Sequence, residues 1–440
     1  MTQAELHPAY ADYEESDALW LGKAPAGWET APMKHLTQFI NGTAFKPGDW
    51  GTEGVPIIRI ENLNGGADFN RTTREVPSKY HVKRGDLLFG WSGNRGTSFG
   101  PYIWEQDGLF YLNQHIFRLE GFQGHRRWFY WMLKAVTFYV EQQAHGIIGM
   151  VHITKGDLGS IKVPIPSLAD QETIASFLDR ETARLDGLVA QKEKLLALLE
   201  EKRASLITHA VTRGLTPHAP SKPSGIPWIG NIPKHWRVKR FKHVTTRVDV
   251  GIAEAATHAY ADEGVPILRS TNVRANRLLL DDVLRIQQWF ADKNRSKYLL
   301  TGDIVTVRTG NTGVSAVVPE CLHRCQCFTM LISTLANRQC PEYFCHFLNS
   351  EAGMAQLRLE SWGSAQENIS VPILKETIVP EPPFEEQQAI AAFIRERAGQ
   401  VESLAEKLRK AVELLRERRT ALISAAVTGQ IDVRNWKPAA

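Results

Sequence analysis

Two short stretches of the chain repeat a set of polar side chains suited to hydrogen-bonding nucleic-acid bases. Arg59, Glu61 and Asn62 close an apolar run in the first half; Arg269, Thr271 and Asn272 close its counterpart in the second. A further set sits on a glycine turn: Ser92, Asn94 and Arg95 in the first half, and Thr309, Asn311 and Thr312 in the second, with Arg308 just ahead. Arginine forks onto guanine O6 and N7, and asparagine onto adenine N6 and N7. Glycine lets backbone amides approach a phosphate. Asparagine and glycine also build turns for their own sake, so residue type alone leaves base reading and turn building both open.

Catalytic constellations fare worse. Glu381-Pro382-Pro383-Phe384 resembles the Asn/Asp-Pro-Pro-Tyr/Phe loop of adenine methyltransferases, but its first residue is wrong. The matching stretch of the other half reads Ile165-Pro166-Ser167-Leu168, and proline ahead of a helix is ordinary punctuation. Cys321, Cys325, Cys327, Cys340 and Cys345, with His323, lack the two-residue chelating gap of zinc sites and have no counterpart in the first half. They read as buried free thiols. There is no phosphate-binding P-loop, no Gly-x-Ser-x-Gly elbow and no His-Glu-x-x-His. The expectation is a chain that binds and is not itself an enzyme.

The elements that position the polar loops are repeated too. A charged helix predicted over about Leu168–Thr212 recurs over Phe384–Thr428 without a gap, Gln171 matching Gln387 and Phe177 matching Phe393 at an offset of 216 residues. Ile174, Leu178, Leu185, Leu188, Leu195, Leu199 and Leu206 mark an apolar seam, and Ile390, Ile394, Val401, Leu404, Leu408, Ala411, Leu415 and Leu422 mark its partner. A seam this narrow over about six heptads reads as a coiled coil, and about 45 residues make a rod of roughly 65 Å. The seam itself leaves antiparallel and parallel pairing open. Ahead of each globular block, Ser16–Trp28 is answered by Ser224–Trp236, rich in Pro and Gly, which suits an extended lead-in pinned by tryptophans. Within the blocks, Val55–Arg59 matches Val265–Arg269 and Gly85–Leu88 matches Gly302–Val305. A helix is predicted late in each, over Arg127–Val140 and Glu342–Leu359.

The fold expected is α+β: two mixed α/β domains separated by two long helices that form an antiparallel coiled-coil spacer, with a pseudo-two-fold internal repeat. The expected segments are 1–163 (first domain with its lead-in), 164–213 (first helix), 214–235 (proline-rich linker), 236–380 (second domain) and 381–440 (second helix and tail). At 440 residues with 43% hydrophobic content, each block is large enough for its own core. Fifty-two basic against 48 acidic residues leave a net charge of +4, which permits nucleic-acid binding without requiring it. No apolar run reaches membrane-spanning length, the start lacks a signal-peptide core, and the cysteines form no secreted framework, so a cytoplasmic location is expected.

Taken together, the chain resembles the specificity subunits of type I restriction–modification systems over nearly its full length. The stretches that carry the likeness are Ala210-Val211-Thr212-Arg213-Gly214-Leu215, then Gly225–Trp236, the helix start Gln387-Gln388-x-Ile390-Ala391, and the tail Ala426–Asp432. The resemblance implies two target recognition domains, each reading one half of a split double-stranded DNA sequence, with the paired helices as spacer. It also implies docking of two modification (methyltransferase) subunits, which hold S-adenosylmethionine, and of two restriction subunits, which use ATP and Mg2+. No cofactor and no catalytic residue is expected in this chain. Arg59, Asn62, Ser92, Asn94 and Arg95 are expected on the first half-site; Arg269, Asn272, Arg308, Asn311 and Thr312 on the second. The alternatives are a stand-alone bipartite DNA-binding regulator, which would hold its site without partners, and a coiled-coil scaffold with no DNA role.

Overall fold

A computed structural model describes residues 8–18, 20–94, 96–143, 150–254, 257–361 and 368–436. The main strands of the first domain are β1 (Gln38–Asn41), β2 (Val55–Ile58), β3 (Leu87–Gly90), β4 (Gly100–Ile103), β5 (Phe110–Leu112) and β6 (Ile116–Glu120), followed by helix α1 (Arg126–Gln143). The long helix α2 runs over Leu168–Arg213. The second domain repeats the set with β7 (Thr245–Val250), β8 (Val265–Leu268), β9 (Ile304–Thr306), β10 (Ser315–Val317), β11 (Gln326–Cys327) and β12 (Leu331–Leu335). Helices α3 (Pro341–Asn349) and α4 (Glu351–Ser361) follow, then the second long helix α5 (Phe384–Val427). The expected mixed α/β architecture and internal repeat are both present. No described helix is long and apolar enough to cross a membrane.

The chain forms two compact units, one of residues 1–193 with 410–440, the other of residues 194–409. Each therefore holds one domain, the start of one long helix and the end of the other. In the first unit β1, β6, β3 and β4 form an antiparallel sheet in the order β4-β3-β6-β1. In a second sheet, β2 and β5 run parallel. Trp128, Phe129 and Met132 of α1 are fully buried in one cluster with Ile174, Phe177 and Leu178 from the start of α2 and Ile423, Ala426 and Val427 from the end of α5. Asp186 pairs with Arg419 at 2.8 Å and Glu193 with Arg416 at 2.7 Å. The partner number falls as the first rises, so the two helix segments run antiparallel.

The second unit is built the same way. β7, β12, β9 and β10 form the antiparallel sheet, and β8 pairs β11 in parallel. Tyr343, Phe344 and Phe347 of α3 share a buried cluster with Ala210 and Val211 from the end of α2 and Ile390, Ala391 and Ile394 from the start of α5. The Tyr343 hydroxyl donates to Val211 O at 3.0 Å, fixing the helix end to the domain. Glu200–Arg409 at 3.7 Å and Arg203–Glu402 at 3.1 Å again give an antiparallel pairing. Mid-helix positions depart from the expected seam. Leu195 and Leu404 are 43% and 45% exposed, whereas Ala405 and Val412, outside the expected seam, are buried beside Leu408, which lies in it.

Two further expectations need correcting. The late helix of the second domain is two helices, broken at Ser350, whose extended backbone ends α3 while its hydroxyl accepts from the Gly353 amide. A Cβ on Gly353 would lie 2.3 Å from Phe347 O, so only glycine permits this close turn. Ahead of Ser16, Tyr13–Glu15 forms a strand paired with Lys23–Pro25. Of the matched tryptophans, Trp236 is fully buried, Trp20 donates its indole N–H to Lys162 O and Trp28 packs edge-on against Tyr10; Trp228 is 38% exposed and anchors nothing comparable.

Each domain is fastened to its helix by the same buried amide. Gln171 Oε1 accepts from the His125 amide at 2.9 Å while its Nε2 donates to Pro166 O. Gln387 Oε1 accepts from the Cys340 amide at 2.8 Å while its Nε2 donates to Pro382 O. A buried amide left without its partner costs about 1–3 kcal/mol. Replacing Gln171 by Ala is expected to lower stability by about that amount and to speed hydrogen exchange at the His125 amide. Unchanged exchange there would show that the clamp holds nothing.

Candidate nucleic-acid interface

The polar residues that the two halves share build loops. Gly85 and Gly302 both have φ of +87°, a left-handed conformation that favours glycine. The next residue closes the turn: Asp86 Oδ2 accepts from the Lys83 amide, and Asp303 Oδ2 from the Leu300 amide, each at 2.9 Å. Asp303 is fully buried and is bridged by Arg247 at 2.8 Å. Asn62 and Asn272 behave alike. Each is buried, each accepts from the amide of the arginine three residues before it at 2.9 Å, and each spends its amide hydrogens on two carbonyls. In this geometry the two asparagines organise the loops after β2 and β8 and present no free amide edge to a base.

Three loops meet in the second domain. Arg269, Ser270 and Thr271 follow β8, Arg308 and Thr309 follow β9, and Phe328, Thr329 and Met330 join β11 to β12; they line one cleft of about 290 Å³. The parallel pairing of β8 with β11 forces this meeting, because both strands end at the same edge. The Phe328 amide bonds Leu268 O at 3.0 Å, tying the third loop to the first. Arg269 is held by Asp282, Nη2 to Oδ2 at 2.6 Å. Arg308 donates through Nε to Ile369 O at 3.2 Å and has no carboxylate partner among the described residues. Asn311 is exposed, and Thr312 turns its amide onto Gly310 O.

The first domain brings the equivalent loops together. The Asn113 amide bonds Ile58 O at 3.2 Å, and the Trp91 amide bonds His115 O at 3.2 Å. Arg59 is more tightly held than its counterpart: Nη1 donates to Asn70 Oδ1 at 2.6 Å and pairs with Glu61 at 3.0 Å, and the guanidinium lies 4.9 Å over the Trp50 ring. Ser92 is half-buried on a strand paired with Met150–His152, and Asn94 at its end is exposed. Arg95 lies outside the described residues. Position 91 corresponds to 308, so Trp91 stands where the second domain has arginine. Its indole donates to Asn41 Oδ1 and Gln114 O, and the ring sits 5.2 Å from His115 and 4.9 Å from His152. Sequence reasoning missed Trp91, Gln114, His115 and the whole 328–330 loop. The signal was indirect: the loop after the parallel strand must lie beside the loop after its neighbour.

The cysteines form no metal site. Among the described residues no cluster of three or more His, Cys, Asp or Glu side chains could hold an ion. Cys325, Cys327, Cys340 and Cys345 are buried and Cys321 is exposed, all as free thiols. Burial pushes the Cys325 thiol up to about 12 and Cys340 to about 11, and raises Cys327 and Cys345 further.

Comparison with known proteins places this geometry. The family model described as the type I restriction modification DNA specificity domain matches twice, over residues 25–197 and 233–413. The chain belongs to this family. Among curated specificity subunits it is similar to that of the type I restriction enzyme EcoBI of Escherichia coli, at 23% identity over 93% of this chain and 87% of that one. The MjaVIII specificity subunit of Methanocaldococcus jannaschii is 25% identical over 94% of this chain and 95% of its own. A chain from a solved structure concerned with complex assembly and conformational transition of the type I R-M system shares the fold. The TM-score is 0.70 at 14% identity, covering 93% of this chain and 99% of that one.

The thiols of this specificity-family chain give a direct check. In the native protein at neutral pH, iodoacetamide is expected to modify Cys321 alone, with the other four reacting only after denaturation, as read by peptide mass spectrometry. Early modification of Cys327 or Cys345 would contradict the buried arrangement.

Proposed function

We propose that this chain is the DNA-reading subunit of a type I restriction–modification enzyme, each domain reading one half of a bipartite double-stranded target. The observation that carries the reading is a contrast between the two halves. Their loop-building residues agree, Asp86 with Asp303 and Asn62 with Asn272. The side chains on the corresponding loops differ, with Arg308, Thr309 and Thr329 lining the cleft of the second domain and Trp91, Ser92 and Gln114 at the matching positions of the first. A shared frame with divergent contacts suits an asymmetric split sequence. Arg308 and Asn311 contribute base or phosphate contacts in the second half-site, and Arg59, Asn94 and Arg95 in the first.

The chain performs no chemistry in this proposal. Two modification subunits dock on the helices, bring S-adenosylmethionine and methylate adenine, and two restriction subunits add ATP- and Mg2+-dependent cleavage. Leu195 and Leu198, one turn apart on α2, are 43% and 50% exposed, and apolar residues left open on a long helix suit a partner's surface. The helix pair sets the gap between half-sites, as a rigid link fixes half-site spacing in dimeric DNA-binding proteins. Electrostatic attraction to phosphate supplies affinity common to all sequences, while loop contacts supply the discrimination.

The test is long-read methylation sequencing of DNA from cells that express this chain with its modification subunit, against cells without this chain. One new bipartite motif methylated on adenine in both halves is expected. No new methylation beside an active modification subunit would favour a stand-alone regulator, which would bind its site alone. A four-residue insertion at matched places in both long helices adds about 6 Å and is expected to widen the unspecified gap by about two base pairs. Methylation of the original spacing by that variant would refute the helix pair as a ruler.

A further inference from the structure

Resting on the reading that each domain recognises a half-site, we infer that Gln114, supported by His115 and Trp91, is a specificity-determining residue of the first domain. The second domain places an arginine, Arg308, in its three-loop cleft. At the corresponding place the first domain has Trp91, whose N–H is committed to Asn41 Oδ1 at 3.0 Å and Gln114 O at 3.1 Å. An indole so held has no hydrogen left for a base edge, because its one donor is spent. The neighbouring loop fills the gap. Gln114 is exposed, its backbone amide is fixed by Asn113 Oδ1 at 2.7 Å, and its Nε2 lies 3.2 Å from His115 Nε2. The His115 ring in turn packs on Trp91, and His115 O accepts the Trp91 amide.

The arrangement is a polar amide on a rigid aromatic base. A glutamine amide offers a donor and an acceptor side by side, the pattern that matches adenine N7 and N6 in the major groove. Phe117 and His152 pack on the other sides of Trp91, at 5.6 Å and 4.9 Å between ring centroids, so the support cannot swing away without disrupting the domain. Rotamer freedom that a lone surface glutamine would lose on binding is thereby already reduced. The equivalent of Gln114 in the second domain is Thr329, whose short hydroxyl leaves the longer reach to Arg308. The two domains thus exchange the reader between loops: the loop after β9 in the second, and the loop between β5 and β6 in the first.

The experiment is the same methylation sequencing with the full chain carrying Gln114→Ala, Gln114→Met or Thr329→Ala, each co-expressed with the modification subunit. A bidentate contact discriminates between bases by about 5- to 150-fold. The Gln114 variants are expected to relax or change one base position in one half-site by a factor in that range, with the other half-site and the spacing unaltered. Thr329→Ala is expected to leave that half-site intact. An unchanged motif in both Gln114 variants would overturn the inference, and so would uniform loss of methylation with the motif retained, which marks a phosphate or folding role. Absence of any bipartite motif with the unaltered chain would instead remove the proposed function, and this inference with it.

Discussion

Ile423, Ala426 and Val427 stand at the end of the second long helix, yet they are buried in the cluster that holds Trp128 and Phe129 of the first domain. Ala210 and Val211, at the end of the first long helix, occupy the same place among Tyr343 and Phe344 of the second. Each core is closed by a helix end that begins in the other half of the sequence. Fully burying a side chain of this kind contributes about 1.5–3 kcal/mol. Leu422, Ile423 and Val427 at one end and Val211 at the other are of this kind, so each domain's core includes side chains from both helices. The Tyr343 bond to Val211 O belongs to this exchange, while the Gln171 and Gln387 clamps fasten each domain to the start of its own helix.

The exchange also decides what the clefts can be. A loop reads reproducibly only where its base does not move. The Asp86 and Asp303 turns and the Asn62 and Asn272 braces transmit the rigidity of the sheets to the loop tips. Beside these shared residues, Trp91 and Gln114 in the first domain stand where the second has Arg308 and Thr329.

Much of the frame was legible in the sequence because it obeys periodicity and repetition. The gapless match of Gln171 with Gln387 gave both helices, and the repeated Gly-Asp and Arg-x-x-Asn stretches located the loops. The same repetition misled about roles. Asn62 and Asn272 recur because they are bonded inside the loop, while Trp91 and Gln114 escaped notice because nothing repeats them. The cleft could not be read either, since β8 and β11 are far apart in the chain and only their parallel pairing sets Arg308 beside Thr329. Leu195 and Leu404 fit the 3-4 apolar spacing, yet both are exposed, since spacing alone does not show which stretch of a helix is covered.

The separation of shared braces from unshared tips bears on inheritance. A mutation at position 114 or 329 falls on an exposed side chain that no repeated brace depends on, whereas one at Trp91 disturbs an aromatic cluster and one at Asp303 or Gln387 strikes a buried group on which the fold relies. If each domain reads one half-site, as proposed, variation accumulates in one half of the target at a time while the other half persists as a constant address. On that proposal, a lineage carrying this chain acquires a new recognition sequence by altering a few exposed side chains, with the remaining machinery inherited intact.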